Sequence, residues 1–193
     1  MTEESERVHL SAHTLKGIAH PIRVRLLGLL RTEGPSTATK LAEQIGQSSG
    51  VTSYHLRQLA QYGFVQEDPA LGNARERWWR ASHRSTTLGA PAARQAPAET
   101  EIFLRAVAMA SAERIDRWLG EITAIPTEWD DAIGLNDYSL RLTAGEATEM
   151  FARLNEVVQS YRAHYEEPAP EEAERVEVHI NVMPFIRGTG APS

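Results

Sequence analysis

Apolar residues recur at helical spacing through the first third of the chain. They alternate at strand spacing in several later stretches. From His9 to Ala19, Leu10, Leu15, Ile18 and Ala19 predict a short amphipathic helix. Pro21 suits the first turn of the next helix, where its missing N–H is an orphan in any case. That helix runs to about Arg31, with Ile22, Val24, Leu26, Leu27, Leu29 and Leu30 apolar and Arg23, Arg25 and Arg31 marking a wet side. Glu33-Gly-Pro35 ends it. Ser36 or Thr37 can cap a third helix carrying Leu41, Ala42 and Ile45, which Gly46 stops. A fourth begins near Ser49 and reaches Gln61 or Tyr62. Short helix, glycine turn and second helix form the helix-turn-helix pattern.

Steps of 100° divide the fourth helix in two. Thr52, Leu56 and Leu59 share one side, with His55 and Val51 at its margin. Gly50, Ser53, Arg57 and Gln61 share the other, flanked by Tyr54 and Gln58. The outward side is small and polar at its start and cationic one turn later, which suits close approach to base edges. Gly63-Phe-Val-Gln-Glu67 then reads as a strand, residues 68–74 as a loop and Arg75-Glu-Arg-Trp-Trp-Arg80 as the returning strand. Alternation puts Arg75, Arg77 and Trp79 on one face of that strand, and one of the two tryptophans covers the core. A hairpin directly after such a helix is a wing whose arginines can reach phosphate.

Ser85 to Glu99, rich in Ala, Pro, Thr and Gly, reads as a linker. A long helix follows over 100–122, with Leu104, Ala108, Ile115, Trp118, Leu119 and Ile122 at helical spacing. Such a helix can pair across a two-fold axis. Tyr138-Ser-Leu-Arg-Leu142 alternates like a strand, and Thr143-Ala-Gly-Glu146 is a capping box. The helix it opens carries Met150, Phe151, Leu154, Val157, Val158 and Tyr161. Arg175 to Val182 alternates again, with Val176, Val178, Ile180 and Val182 inward. The expected architecture is α+β: a mainly helical winged helix-turn-helix domain over 1–84, a linker over 85–99, and a C-terminal region over 100–193. That last region joins a long dimerisation helix to a small strand-helix-strand unit. It could also hold a small-molecule ligand against Trp118, Trp129, Phe151 and Tyr161, although a plain hydrophobic core is the stronger account of any one of these residues.

Charge changes this picture in one respect. The 193-residue chain has a net charge of −6. Residues 1–90 nevertheless carry 11 Lys+Arg against 8 Asp+Glu, and the acidic excess lies in the second half. A basic face on DNA with an acidic region held away from it fits that split. No apolar run spans a bilayer and the N-terminus is acidic, so a cytoplasmic protein without a membrane partner is expected. The absence of cysteine excludes disulfides, thiolate metal sites and cysteine nucleophiles.

Five blocks carry a resemblance: Ala19-His-Pro-Ile-Arg-Val-Arg-Leu-Leu27, Thr39-Lys-Leu-Ala-Glu43, Thr52-Ser-Tyr-His-Leu-Arg-Gln-Leu59, Tyr62-Gly-Phe-Val65 and Arg75-Glu-Arg-Trp-Trp79. In order and spacing they resemble the winged helix-turn-helix regulators of the ArsR type. The match spans roughly residues 12–83 and is most similar to longer, actinobacterial-like members with an extra C-terminal region. The resemblance implies a homodimeric transcription factor, often a repressor released by a ligand. The metal-sensing members place a cysteine pair on the helix before the reading helix, or Asp and His on a dimer helix. Here 37–46 has no cysteine and the helix around Asp116 no histidine, so metal sensing is not inherited.

Other chemistry is sparse. His9 and His13, four apart on one expected helix, form a weak metal pair short of the four ligands a structural site wants. His55 is expected at the edge of the core, bonded to backbone. No nucleophile elbow, phosphate loop or cofactor signature occurs, so no enzyme and no cofactor are expected. The residues expected to meet double-stranded DNA are Ser48, Ser49, Ser53, Tyr54, Arg57 and Gln58 on the reading helix, with Arg75 and Arg77 on the wing. The reading is a sequence-specific regulator, a repressor acting as a homodimer and released or tuned by a ligand of its C-terminal half. Its alternatives are a DNA-binding dimer without ligand control and a regulator fused to a small enzyme-like domain.

Overall fold

The computed structural model describes residues 7–71, 76–162 and 172–185. Contacts divide the chain into one unit ending at Ala124 and a second starting at Ile125. The first is an α+β winged helix-turn-helix fold. It begins not with the expected helix at His9 but with strand β1 (Arg7–Leu10). Helix α1 (Ala12–Ile18) starts only after Ser11, whose Oγ accepts from the Thr14 N–H while Thr14 Oγ1 accepts from the Ser11 N–H. This reciprocal cap fixes the helix start. Helix α2 (Pro21–Thr32) opens on its proline and is capped by His20, whose Nδ1 accepts from the Ile22 N–H at 3.2 Å.

Strand β2 (Ser36–Thr37) leads into α3 (Ala38–Ile45), with Thr37 as the cap. Helix α4 (Ser49–Gln61) follows, then β3 (Val65–Glu67) and β4 (Trp78–Ala81). These strands form an antiparallel sheet in the order β2-β4-β3, so the hairpin is anchored to the residues that start α3. The core is one cluster in which Leu15, Ile18, Leu26, Leu41, Leu56, Leu59 and Phe64 are fully enclosed. Gly17 is required where α1 meets the end of α4: a Cβ there would lie 2.2 Å from the Tyr62 ring. Trp79 is the core tryptophan, 5% exposed, whereas Trp78 is half-buried with Lys40 Nζ 4.8 Å from its ring centre.

The segment 85–99 is not a linker. Strand β5 (Ser85–Leu88) pairs in parallel with β1, Arg7 facing Ser85 and Leu10 facing Leu88. Helix α5 (Ala90–Gln95) follows with Ala92 buried, and α6 (Pro97–Glu121) packs on α2. Pro91 and Pro97, which made the stretch look open, serve as first-turn residues of these helices. This layer covers the supposed wet side of α2. Arg25 pairs with Glu113 at 3.0 Å, and Arg31 donates to the His83 carbonyl and to Thr86 Oγ1.

In the second unit, α7 (Ala144–Arg162) starts at the expected capping box: the Thr143 N–H donates to Glu146 Oε2 at 2.7 Å and the Glu146 N–H to Thr143 Oγ1. That bonding also holds the Glu146 carboxyl below its usual range. The strands expected on either side do not form. Residues 138–142 and 175–182 belong to neither sheet. Alternation marks a segment able to be a strand, but a strand exists only when another edge accepts its backbone bonds.

Thr52 is fully buried on the inner face of α4, and its Oγ1 has no hydrogen-bond partner among the described residues. Thr52→Val keeps the shape and removes the orphaned hydroxyl, so it should stabilise the fold by about 1 kcal/mol in urea unfolding. A loss of stability instead would mean that the hydroxyl is bonded after all.

Candidate nucleic-acid interface

The geometry of α4 is set from its two ends. Gly46 closes α3 in the left-handed conformation (φ 66°, ψ 39°), donating to the Ala42 and Glu43 carbonyls. A side chain there would be strained. Two residues later Ser48 Oγ accepts from the Val51 N–H at 3.3 Å and starts α4. Inward, Thr52, Leu56 and Leu59 are fully enclosed and His55 is 7% exposed. Outward, Ser49, Tyr54 and Arg57 are exposed and Ser53 and Gln58 half-buried. Val51, expected at the margin of the inner side, lies instead on the exposed part. The split expected from 100° steps holds at every other position.

A cleft of about 310 Å³ lies against the outward side. Thr37, Ala38 and Thr39 from the start of α3, Ser53 and Arg57 from α4, and Glu76, Arg77 and Trp79 from the wing line it. Arg57 is steadied by its own helix, its Nε donating to the Ser53 carbonyl at 3.2 Å. Two wing arginines are engaged by acids across the hairpin: Arg77 with Glu67 at 3.1 Å and Arg80 with Asp68 at 3.7 Å. The Arg77–Glu67 pair is exposed, and pairs of this kind contribute at most about 1 kcal/mol, so a phosphate oxygen can replace the Glu67 carboxylate at little cost. Arg77 is exposed although it stands two residues before the buried Trp79, because regular β4 begins only at Trp78. Arg75, the other expected wing residue, lies outside the described residues.

Thr39 and Lys40 were missed by the sequence reading. They stand exposed in the first turn of α3, where the helix dipole favours an anion although the Thr37 Oγ1 already accepts from the Lys40 N–H. The signal was available: the cap at Thr37 already placed that helix start, and Lys40 lies one turn beyond it.

Behind α4 sits a compact set of nitrogen bases. The His20 and His55 ring centres are 4.4 Å apart, and Tyr54 meets His55 edge-on at 5.1 Å. His55 Nδ1 and Arg23 Nε are buried without a hydrogen-bond partner among the described residues, so His55 is not bonded to backbone as expected. Burial, then the charge of Arg23, holds the His20 imidazole below the usual histidine range. For His55 the causes are burial, then His20, then Arg23. Arg23 is itself lowered by burial, against the opposing pull of Tyr54 and Tyr62. His9 and His13 are not on one helix face, since β1 carries the first and α1 the second. His13 packs on Tyr62 with ring centres 5.0 Å apart, and no group of three metal-ligating side chains occurs among the described residues.

Residues 18–67 match the family model of a helix-turn-helix domain. With the hairpin behind it, the first unit is a winged helix-turn-helix domain, the architecture of DNA-binding transcriptional regulators. No curated protein matches the chain. Among solved structures, an apo mutant of Lactococcus lactis ZitR is 16% identical, covering 71% of this chain and 81% of that one at a TM-score of 0.31. A disulfide-formed AbfR is also 16% identical, covering 53% and 71% at a TM-score of 0.28. Superpositions this loose say nothing about the chemistry of this chain. No helix among the described residues is long and apolar enough to cross a membrane.

The two histidines make stability depend on pH with a definite sign. Their folded pKa values lie below the ordinary 6.5, so the unfolded chain binds protons first on acidification. Their contribution is fully present above about pH 6.5 and is lost as pH falls through the folded values. The thermal midpoint should therefore drop as the pH is lowered below about 6.5 in the parent, and less in a His20→Asn, His55→Leu double variant. Equal slopes in the two proteins would remove the histidines from the account.

Proposed function

We propose that the chain is a sequence-specific transcriptional regulator of the ArsR type, a repressor that binds double-stranded operator DNA as a homodimer in the cytoplasm. One observation carries this reading: the outward side of α4, the start of α3 and the wing line a single cleft with Arg57 and Arg77 in it. Ser48, Ser49, Ser53, Tyr54, Arg57 and Gln58 read the major groove. Arg77 and Arg75 grip phosphate from the wing, and Thr39 and Lys40 meet the backbone at the start of α3.

Helix α6 supports the two-fold assembly that a palindromic operator demands. Phe103 and Ala106 turn to the core, while Leu104, Leu119 and Ile122 point away from it and stay exposed at 51%, 46% and 38%. A second α6 would cover them. Control by a ligand of the C-terminal half remains part of the proposal, motivated by an acidic region larger than dimerisation requires. Phe151 and Tyr161, expected around that ligand, stand exposed on α7 at 45% and 73%.

Arg57→Ala should weaken operator binding by about 1–3 kcal/mol, roughly fivefold to 150-fold, if the guanidinium pairs with a base. Binding isotherms over a salt series check this. A slope reduced by about one with uniform weakening across sequences would make Arg57 a phosphate contact, and unchanged affinity at every salt concentration would refute the assignment.

A further inference from the structure

His20 makes two contacts at the start of α2. Its Nδ1 accepts from the Ile22 N–H at 3.2 Å, and its ring packs on that of His55 in α4, with centres 4.4 Å apart. The first contact needs a lone pair on Nδ1. An imidazolium carries a proton on each nitrogen and accepts at neither. The cap therefore exists only while His20 is uncharged. The second contact joins that cap to the reading helix. His55 is 7% exposed, and Tyr54, 53% exposed on the outward side, meets its ring edge-on.

The surroundings offer a proton on His20 no counter-charge. Arg23 faces the pair from α2, its Nε buried without a hydrogen-bond partner among the described residues. Tyr54 and Tyr62 face Arg23 from α4 and its end, and α1 adds His13, which packs on Tyr62, and the exposed Lys16. The positive end of the α2 dipole lies at the cap itself. No ion pair among the described residues includes His20, Arg23 or His55. Among the acids of the elements packed against the two helices, Glu113 and Glu101 of α6 are held by Arg25 and Arg105. Glu67 of β3 is held by Arg77, and Glu43 of α3 is exposed.

We propose that His20 is a positioning residue for α4 and an acid release: its protonation breaks the α2 cap, drives its ring away from His55 and Arg23, and frees the chain from DNA while the fold persists. The proposal rests on the reading of α4 as the DNA-contacting helix and adds a control to it. A proton on Nδ1 sets two N–H donors face to face and places a cation beside Arg23. The ring is only half-buried, so it has a way out to water. His55 then loses the surface it packs on, and with it Tyr54 loses its fixed neighbour. Leu56 and Leu59 stay in the apolar core and keep α4 attached, so aim is lost before fold. By linkage, DNA bound to the aimed helix keeps His20 uncharged. The sign sets this apart from general electrostatics. Exposed His9 and His13 gain charge in acid, and added positive charge tightens binding to phosphate.

The test uses the full-length protein at constant ionic strength and a labelled duplex enriched from a random-core library at pH 8, with circular dichroism at each pH. Parent affinity should fall as the pH is lowered below about 6.5, approaching tenfold per pH unit once the folded His20 value is passed, while the helical signal stays. His20→Asn keeps an acceptor for the cap and cannot take the proton. It fills less of the contact with His55, so the slope against pH is the readout and not the affinity at pH 8. That slope should be less than half the parent's. A parent affinity that is flat or rises in acid, an equal slope in His20→Asn, or release only where the helical signal collapses overturns the proposal and leaves the regulator reading standing. Should His20→Asn fail to fold, NMR titration of the parent's His20 imidazole decides. Its pKa must be lower with the duplex bound than without, and an equal or higher value overturns the proposal. Enrichment of no duplex overturns the regulator reading and the acid release together.

Discussion

Burial of one side of α4 is the constraint on which the rest of the domain depends. Thr52, Leu56 and Leu59 are enclosed completely and His55 almost so. A helix has no freedom to choose its outer face once its inner face is fixed, because the two are set by the same 100° step. Packing α1, α2 and α3 against the inner residues therefore aims Ser49, Ser53 and Arg57 at solvent. Gly46 and Ser48 fix where this rotation starts, and Gly17 lets the end of α4 approach α1. The histidine pair belongs to the same constraint: His20 caps α2 and packs its ring, tilted by 41°, against that of His55.

The wing extends that surface by a similar economy of parts. Trp79 roots β4 in the core, and β4 pairs on one side with β2, whose Thr37 caps α3. The hairpin and the start of α3 are thus held in one sheet, which is why Thr39 and Arg77 border the same cleft as Arg57. Glu67 and Asp68 engage Arg77 and Arg80, so an anion arriving at these two arginines has to replace those acids. The basic side chains are present and positioned, while the long-range field of an otherwise acidic chain stays modest.

What was legible in the sequence was local. The cap of α3, narrowed to Ser36 or Thr37 and found at Thr37, the Gly46 turn and the polar side of α4 depend on neighbours within one or two helical turns. The capping box at Thr143 likewise survives in the structure. What failed depends on residues far apart in the chain. Strand β5 exists because β1, nearly eighty positions earlier, offers it an edge, and nothing in the composition of 85–99 announces that partner. Arg25 and Arg31 of α2 looked solvated because Glu113 of α6 and Thr86 of β5, which engage them, lie far downstream. In the C-terminal unit the same reasoning runs the other way: the alternation of 175–182 predicts a strand, and no edge within the described chain completes it.

The central claim is that α4 presents a DNA-reading face and that two copies present it together. Selection of genomic fragments with the purified full-length protein tests this most directly. The account predicts enrichment of an inverted repeat whose half-sites lie about 10–10.5 base pairs apart, or a multiple of that, since two reading helices related by a two-fold axis must enter successive major grooves. Recovery of fragments with no shared sequence, or of single unpaired half-sites, would contradict it.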